Sequence, residues 1–150
     1  MWDHGLVVRT TVTCLLLAFG LAAAAAVVAA ARPAANGLPS YTSGYAAWTK
    51  VNRKPFSTPG AHNGVKNVYT SKPRAANGKF PDGSVIVKSI TEPGTKGLAA
   101  QVAVMRKLGG RWRWVEYQRS GSRYEVLAQG QLCVACHMQV RSNDWVFTKR

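Results

Sequence analysis

The clearest strand signal in the chain is the segment Pro81-Asp82-Gly83-Ser84-Val85-Ile86-Val87-Lys88-Ser89-Ile90-Thr91. Its first three residues are turn formers, and the β-branched residues that follow favour an extended strand over 84–91. Alternate side chains of a strand point to opposite faces, so the two faces are Ile86, Lys88, Ile90 and Val85, Val87, Ser89. Because both faces are mainly apolar, we predict a central strand that is covered on both sides.

Lys88 is the charged side chain within this predicted strand. A buried ammonium group costs free energy unless it reaches solvent, is paired with a carboxylate or has been chemically changed. A lysine can extend its charge into water at the edge of a sheet, and the residues alone favour that outcome. Glu92 and Glu116 are the alternative partners in a charge pair.

Further strands are predicted on both sides of this segment. Val65–Thr70 is a candidate strand that precedes the turn. Leu98–Lys107 and Arg111–Gln118 have the features of a strand pair joined by a turn at Leu108-Gly109-Gly110. Successive strands joined by short turns favour an antiparallel sheet.

Two short helices are expected beside the predicted sheet. Tyr45, Trp48 and Val51 recur at helical spacing, which predicts an amphipathic helix over Tyr41–Val51. A second helix is expected over Gln131–Arg141, and an apolar tail after it should pack back onto the body. The predicted fold class is therefore mainly β (α+β), an antiparallel sheet of about five strands with short helices and a C-terminal helix.

The C-terminal helix carries Cys133-Val134-Ala135-Cys136-His137, a C-x-x-C-H sequence typical of c-type haem attachment. The two thiols form thioethers with the vinyl groups of the porphyrin, and the adjacent imidazole binds the iron. We therefore predict one covalent haem c per chain, held by Cys133 and Cys136, with His137 as the metal ligand. A zinc site would need four ligands, and a thioredoxin-like pair would need alternating strands and helices; the sequence supplies neither.

Residues 1–31 have the features of an export signal. Arg9 precedes an uncharged, Ala-rich run at 12–31, and Ala29-Ala30-Ala31 offers small residues to a signal peptidase. We predict a signal peptide at 1–31. An uncleaved membrane anchor is the alternative, because the run is about as long as a spanning helix. A flexible leader at 32–40 and one haem domain at 41–150 would follow.

The chain is strongly basic, with 20 Lys and Arg against 6 Asp and Glu, for a formal net charge of +14. Such a charge is common among nucleic-acid-binding proteins, but predicted export argues against a nucleic-acid partner. We expect the scattered bases to aid solubility or to attract an acidic electron-transfer partner or an anionic surface. A solvated surface with no specific partner is the alternative.

The ligand opposite His137 decides between electron transfer and the binding of small molecules. Met138 adjoins His137 and cannot reach the opposite side of the same iron. Met105 lies in a predicted strand, where methionine is more often core, and His62 lies in a loop, where histidine is more often a surface or hydrogen-bonding residue. We expect a five-coordinate iron with an open face, with a six-coordinate electron carrier using His62 or Met105 as the alternative.

Four stretches together resemble the cytochrome P-460 family, whose relatives include the beta-type cytochromes c′. They are Gly64-Val65-Lys66-Asn67-Val68-Tyr69, Phe80-Pro81-Asp82-Gly83-Ser84-Val85-Ile86-Val87-Lys88, Cys133-x-x-Cys136-His137 and Asp144-Trp145-Val146-Phe147-Thr148. The resemblance spans about residues 41–150. It implies an antiparallel β domain that forms homodimers, with one c-type haem and a five-coordinate iron per subunit. It also implies action on hydroxylamine or nitric oxide in the bacterial periplasm.

The resemblance gives Lys88 a specific role. In cytochrome P-460 members, the lysine of the motif Asp-Gly-(Thr/Ser)-Val-x-Val-Lys is bonded to the porphyrin edge. Lys88 occupies that place in Asp82–Lys88, so the resemblance implies cofactor binding through a third covalent tether. The beta-type relatives lack this bond.

The resemblance also implies a carboxylate that accepts protons during hydroxylamine oxidation, on the strand after Lys88. The corresponding segment Gln101–Arg106 contains no acid. We therefore expect an apolar pocket that can bind nitric oxide but has no base for a bound substrate. Phe56, Phe80 and Met105 are candidates for packing at the open face or the edge of the haem, and ordinary core is the favoured interpretation for each.

The leading hypothesis is a periplasmic mono-haem cytochrome that binds nitric oxide or oxidises hydroxylamine. Its partners would be the small nitrogen ligand, an electron-transfer protein and a second copy of the chain. A haem gas sensor or a protein that sequesters nitric oxide without turnover is a further alternative. The missing carboxylate on the strand after Lys88 favours gas binding over oxidation.

Overall fold

The structure is a computed structural model that describes residues 34–57, 60–95 and 97–148. A seven-stranded antiparallel sheet forms its body. The strands are β1 (Thr49–Lys50), β2 (Phe56–Ser57), β3 (Val65–Thr70), β4 (Val85–Thr91), β5 (Gln101–Leu108), β6 (Arg111–Ser120) and β7 (Arg123–Gln129). The mainly β, antiparallel fold class predicted from the sequence is confirmed.

The order of the strands in the sheet follows the chain from β3 to β7. β1 and β2 pair with successive parts of the same edge of β3, and β7 forms the opposite edge. β4 lies between β3 and β5, and its residues from Val85 to Ile90 are all buried. β4 is thus a central strand, as the apolar residues on both of its faces indicated.

Each face of the sheet covers its own apolar cluster. One face packs against the N-terminal segment, in a cluster formed by Leu38, Val85, Val87, Ala99, Val102, Val104, Tyr117 and Tyr124. The other face carries Val68, Phe80, Ile86, Met105, Trp112 and Val146. Burial of Val146 confirms that the C-terminal tail packs back onto the body, and burial of Leu38 shows that the predicted leader at 32–40 is packed where it is described.

The helix predicted over Tyr41–Val51 is wrong. Two separate 3-10 turns, Ser40–Thr42 and Tyr45–Ala47, occupy this region before β1 begins. Gly44 stands between them in the left-handed conformation, with φ of 68°, which a right-handed helix cannot continue through. The aromatic spacing that predicted the helix instead lets Tyr45 pack against the first cluster.

The C-terminal helix is shorter than predicted. α1 spans Gln131–His137 and is followed by a 3-10 segment, Met138–Asn143. The chain then reverses through Asp144 and Trp145, whose φ values of 52° and 65° are both left-handed.

No helix in the described part of the chain is long and apolar enough to cross a membrane. The predicted signal peptide at 1–31, with its alternative as an anchor, lies outside the described residues.

Candidate functional site

A row of neighbouring side chains crosses one face of the sheet. The strand register places Val68 beside Lys88, Lys88 beside Ala103, Ala103 beside Glu116 and Glu116 beside Ala128. Strands in a sheet are about 4.8 Å apart, so the lysine and the glutamate are about 10 Å apart at the backbone. The alanine between them has a short side chain and leaves space above the sheet.

This row is the floor of a cleft of about 720 Å³. An adjoining cavity of about 800 Å³ shares Lys88, Cys136 and His137 with it. Cofactor and small-molecule sites are concave and mostly apolar with a few convergent polar groups, and the residues that line this cleft have that character. The walls of the cleft include Ile86, Met105, Trp114, Cys133, Val146 and Phe147.

Helix α1 supplies two thiols and an imidazole to this cleft. Cys136 and His137 follow Cys133 by three and four residues, and residues at these spacings lie on the same face of a helix as the first. Both thiols are unpaired and partly buried, and burial raises the pKa of the Cys133 thiol. The three predicted attachment residues therefore line one wall of the cleft together.

The His137 imidazole is held in one orientation. Its Nδ1 lies 2.6 Å from the backbone oxygen of Trp145, so Nδ1 carries the hydrogen and donates it, which leaves the lone pair of Nε2 available to a metal. The ring packs edge-on against Phe147, with centroids 5.1 Å apart, and lies tilted against Trp114, with centroids 6.0 Å apart. Burial lowers the pKa of His137 to about 4, so the imidazole is neutral, as a metal ligand must be.

Lys88 is 7% exposed, so the expectation that its ammonium reaches solvent is wrong. Its Nζ lies 5.5 Å from the ring centroid of Phe147. Burial, together with the nearby charge of Lys66, lowers the pKa of Lys88 to about 8. The buried amine therefore loses its proton more readily than an ordinary lysine.

A carboxylate that faces the cleft comes from β6. Oε1 of Glu116 lies 2.7 Å from Nδ1 of His62, and both residues line the cleft. Their side chains are only 14% and 15% exposed. His62 has φ of 59°, an uncommon backbone conformation for a residue other than glycine. Its predicted hydrogen-bonding role is confirmed, with Glu116 as the partner.

The expectation of a cleft without a base is therefore wrong. β5 contains no acid, as the sequence indicated, but Glu116 reaches the same face from the next strand. The register between β6 and β7 shifts between Glu116 and Tyr117, and such irregularities often redirect a side chain at a site. Glu116 was considered from the sequence as a partner of Lys88, but its hydrogen bond is with His62.

The three apolar residues expected near the haem occupy different places. Met105 is buried and lines the cleft. Phe56 lines the adjoining cavity, where Nζ of Lys66 lies 5.9 Å from its ring centroid. Phe80 is core: it packs edge-on against Trp112 with centroids 6.1 Å apart.

The chemistry of these residues fits a c-type haem. Two thiols and a neutral imidazole share one wall, and an amine lies on the floor beside short alanine side chains. Nε1 of Trp114 is buried and has no hydrogen-bond partner among the described residues. Buried N–H groups are rarely left unpaired, and a polar group of a bound cofactor would supply the missing acceptor.

Comparison with known proteins agrees with this chemistry. A family model described as Cytochrome P460 matches residues 42–148. The chain belongs to the cytochrome P460 family. Membership makes this protein a haem cytochrome, and the match covers every strand after the first 3-10 turn together with α1 and the C-terminal tail. Searches of curated proteins and of solved structures found no match to this cytochrome.

Proposed function

We propose that this cytochrome P460 is a periplasmic mono-haem protein that oxidises hydroxylamine at the open face of a covalently bound haem c. In this proposal Cys133 and Cys136 are the thioether tethers and His137 is the axial ligand. When bound, the haem supplies a redox-active iron with a free coordination position. The observation that carries the proposal is the Glu116–His62 pair in the same cleft as His137.

Glu116 provides the base that oxidation requires. Hydroxylamine must lose protons as it is oxidised, and a positioned carboxylate accepts protons efficiently in a site that excludes bulk water. The bond from His62 holds Oε1 of the carboxylate and leaves the second oxygen for a substrate. Apolar side chains of Ile86, Met105 and Val146 limit the access of water from the sheet side.

Replacement of the carboxylate tests this role. In holoprotein of Glu116→Gln, we expect hydroxylamine turnover with an artificial electron acceptor to fall about a hundredfold or more, since general-base catalysis commonly contributes that much. Glu125→Gln is the matched control, because Glu125 is an exposed acid on the neighbouring strand β7. Unchanged turnover in Glu116→Gln, with normal haem content, would contradict the proposal.

Binding of nitric oxide without turnover is the second candidate function. The same apolar walls favour it, because a neutral diatomic ligand needs no base. If the wild type and Glu116→Gln bind nitric oxide equally well and neither oxidises hydroxylamine, this second candidate is the correct one.

We further propose that Lys88 is a third tether to the porphyrin edge. Its burial and its lowered pKa of about 8 increase the fraction of neutral amine, which is the form that can make a new bond. The N–C bond would replace one N–H of the amine and one C–H of the porphyrin edge, and an external two-electron oxidant such as a peroxide would take up the two electrons. The intact mass and the pigment of Lys88→Ala holoprotein, compared with wild type, test the bond, with the exposed Lys54→Ala as control. Identical pigment and identical mass after correction for the residue change would assign Lys88 a structural role only.

Export, dimer formation and an acidic electron-transfer partner belong to the same proposal. The apolar run ending at Ala31 supports export, and the net charge of +14 supports an acidic partner. N-terminal sequencing of the exported protein would identify cleavage, and sedimentation would give the oligomeric state. Electron transfer to an acidic partner should slow as ionic strength rises.

A further inference from the structure

Asp144 is a buried carboxylate outside the cleft, and it binds several donors. Its two oxygens accept hydrogen bonds from the Phe80 backbone N–H at 2.8 Å, from Nζ of Lys107 at 3.0 and 3.1 Å, and from Nε1 of Trp112 at 3.2 Å. Asp144 and Lys107 are each 8% exposed. Buried ion pairs of this kind are often no more stabilising than apolar side chains of the same size, so stability alone does not explain the pair.

The backbone at Asp144 is also unusual. Asp144 and Trp145 are consecutive residues with φ of 52° and 65°, a conformation that costs free energy for residues with a Cβ atom. Strained residues of this kind persist where the surrounding contacts hold them, and they concentrate at functional sites. The bonds to the Asp144 carboxylate hold the first of these two residues in place.

The strained turn has a direct consequence for the imidazole. After the 3-10 segment, the N–H of Trp145 bonds to the oxygen of Val140 at 3.0 Å. The carbonyl of Trp145 then lies 2.6 Å from Nδ1 of His137. The acceptor that orients the imidazole is thus attached to the residue that follows Asp144 in the chain.

We propose that the Asp144 carboxylate, with Lys107 and Trp112, is the positioning element for His137. By fixing the left-handed turn, it directs the Trp145 carbonyl at Nδ1 and so sets the orientation and basicity of the axial imidazole. Asp144 is a positioning residue and does not touch the substrate. The inference rests on the haem ligation in the proposed function and is independent of which nitrogen compound is bound.

A strong acceptor at Nδ1 makes an imidazole a better electron donor to a metal. Greater donation stabilises the ferric state and lowers the reduction potential of a haem. Loss of the Asp144 anchor should let the turn relax and lengthen the Nδ1–H···O bond. The reduction potential should then rise, and the Nδ1 hydrogen should exchange faster with solvent.

Asp144→Asn tests the proposal in the holoprotein because it keeps the size of the side chain and removes its charge. We expect a more positive reduction potential and, by NMR of the cyanide-bound ferric form, faster exchange of the His137 ring N–H. Trp112→Phe is the milder variant, since it removes one donor and keeps a ring against Phe80. It should shift both quantities in the same direction by a smaller amount, and it tests the proposal by itself if Asp144→Asn does not fold.

Tyr124→Phe is the matched control for Trp112→Phe. It also removes one buried hydrogen bond, from Tyr124 to the oxygen of Ala99 at 2.8 Å, but on the opposite face of the sheet. A potential and an exchange rate that stay at the wild-type values in Asp144→Asn and Trp112→Phe would overturn the inference. If the wild type shows no ligated His137 ring at all, haem ligation by His137 is wrong, and the inference fails with it.

Discussion

The two faces of the sheet differ in how they are covered. On one face, Val87, Val102 and Val104 pack against tyrosines and the N-terminal segment, so the chain itself fills the space. On the other face, Lys88 and Glu116 lie on either side of Ala103 beneath a cleft of about 720 Å³. The same alternating strands therefore build a closed core on one side and a site for a cofactor on the other.

This difference shows which sequence features separate a core from a site. Apolar residues on both faces of a strand predict that both faces are buried, but they say nothing about what covers each face. The distinction comes from the size and charge of cross-strand neighbours, which lie far apart in the sequence. Val87 and Lys88 are adjacent in β4, yet one is fully buried in the core and the other lies on the floor of the cleft.

Filling the cleft should remove the difference between the two faces and have the largest effect. In Ala103→Phe, a ring would occupy the space between Lys88 and Glu116. Overpacking a site costs free energy, so we expect the added ring to exclude the haem. We expect most of the purified chain to carry no haem, as judged by intact mass and by the ratio of haem to protein absorbance. Val102→Ala, on the other face of the same strand, should keep its haem. Full haem content in Ala103→Phe would mean that this row is not the floor of the cofactor site.

The buried pair of Lys107 and Asp144 should give the next largest effect, with a defined pH dependence. Burial raises the pKa of the Asp144 carboxyl, but the hydrogen bonds it accepts outweigh that effect and hold the pKa below 3.8. Because the folded-state pKa is the lower one, the pair stabilises the fold above about pH 4 and loses this effect as the pH falls through the folded-state pKa. We expect Asp144→Asn to cost about 3 kcal/mol near neutral pH.

Urea unfolding of the wild-type and Asp144→Asn holoproteins, measured near pH 7 and near pH 3, checks this prediction. The difference in unfolding free energy between wild type and Asp144→Asn should shrink in acid, because the Asp144 carboxylate of the unfolded chain takes up a proton at a higher pH than that of the folded chain. A difference that stays constant between the two pH values would argue that the charge of Asp144 contributes nothing to stability.

Truncation of an apolar side chain in the closed core should have the smallest effect. It should change the free energy of unfolding and leave the haem unchanged. Val102 is fully buried, so Val102→Ala removes apolar contact and leaves a small cavity, at a cost of about 2 kcal/mol. The haem spectrum and the reduction potential should stay at the wild-type values, since Val102 does not line the cleft. Denaturant unfolding and spectroscopy of the same sample measure both quantities, and a changed spectrum would show that the two faces are coupled.

Local sequence patterns predicted much of the fold. β4 was predictable because its β-branched residues follow a turn signal, and β3 begins and ends at the predicted residues, Val65 and Thr70. The helix over Tyr41–Val51 failed because spacing alone could not reveal that Gly44 adopts a left-handed conformation. β7 went unpredicted because it is an edge strand whose residues are mostly exposed, so its hydrophobic alternation is weak.

The site was predictable only in part. The C-x-x-C-H sequence located the thiols and the imidazole because its spacing is itself a chemical requirement. The Glu116–His62 pair joins residues that are 54 positions apart, and its place in the cleft depends on the register of three strands. The turn at Gly109-Gly110 sets the register that places Glu116 beside Ala103, but no local signal predicts that the loop with His62 reaches this carboxylate.

The optical spectrum of the purified holoprotein, in ferric and ferrous states with and without nitric oxide, would show whether the cleft holds a haem bound through Cys133, Cys136 and His137 with one open face. We predict a five-coordinate, high-spin ferric spectrum, a ferrous form that changes on addition of nitric oxide, and pigment that stays with the chain after denaturation. A low-spin spectrum that is insensitive to nitric oxide would contradict this arrangement and identify a six-coordinate electron carrier.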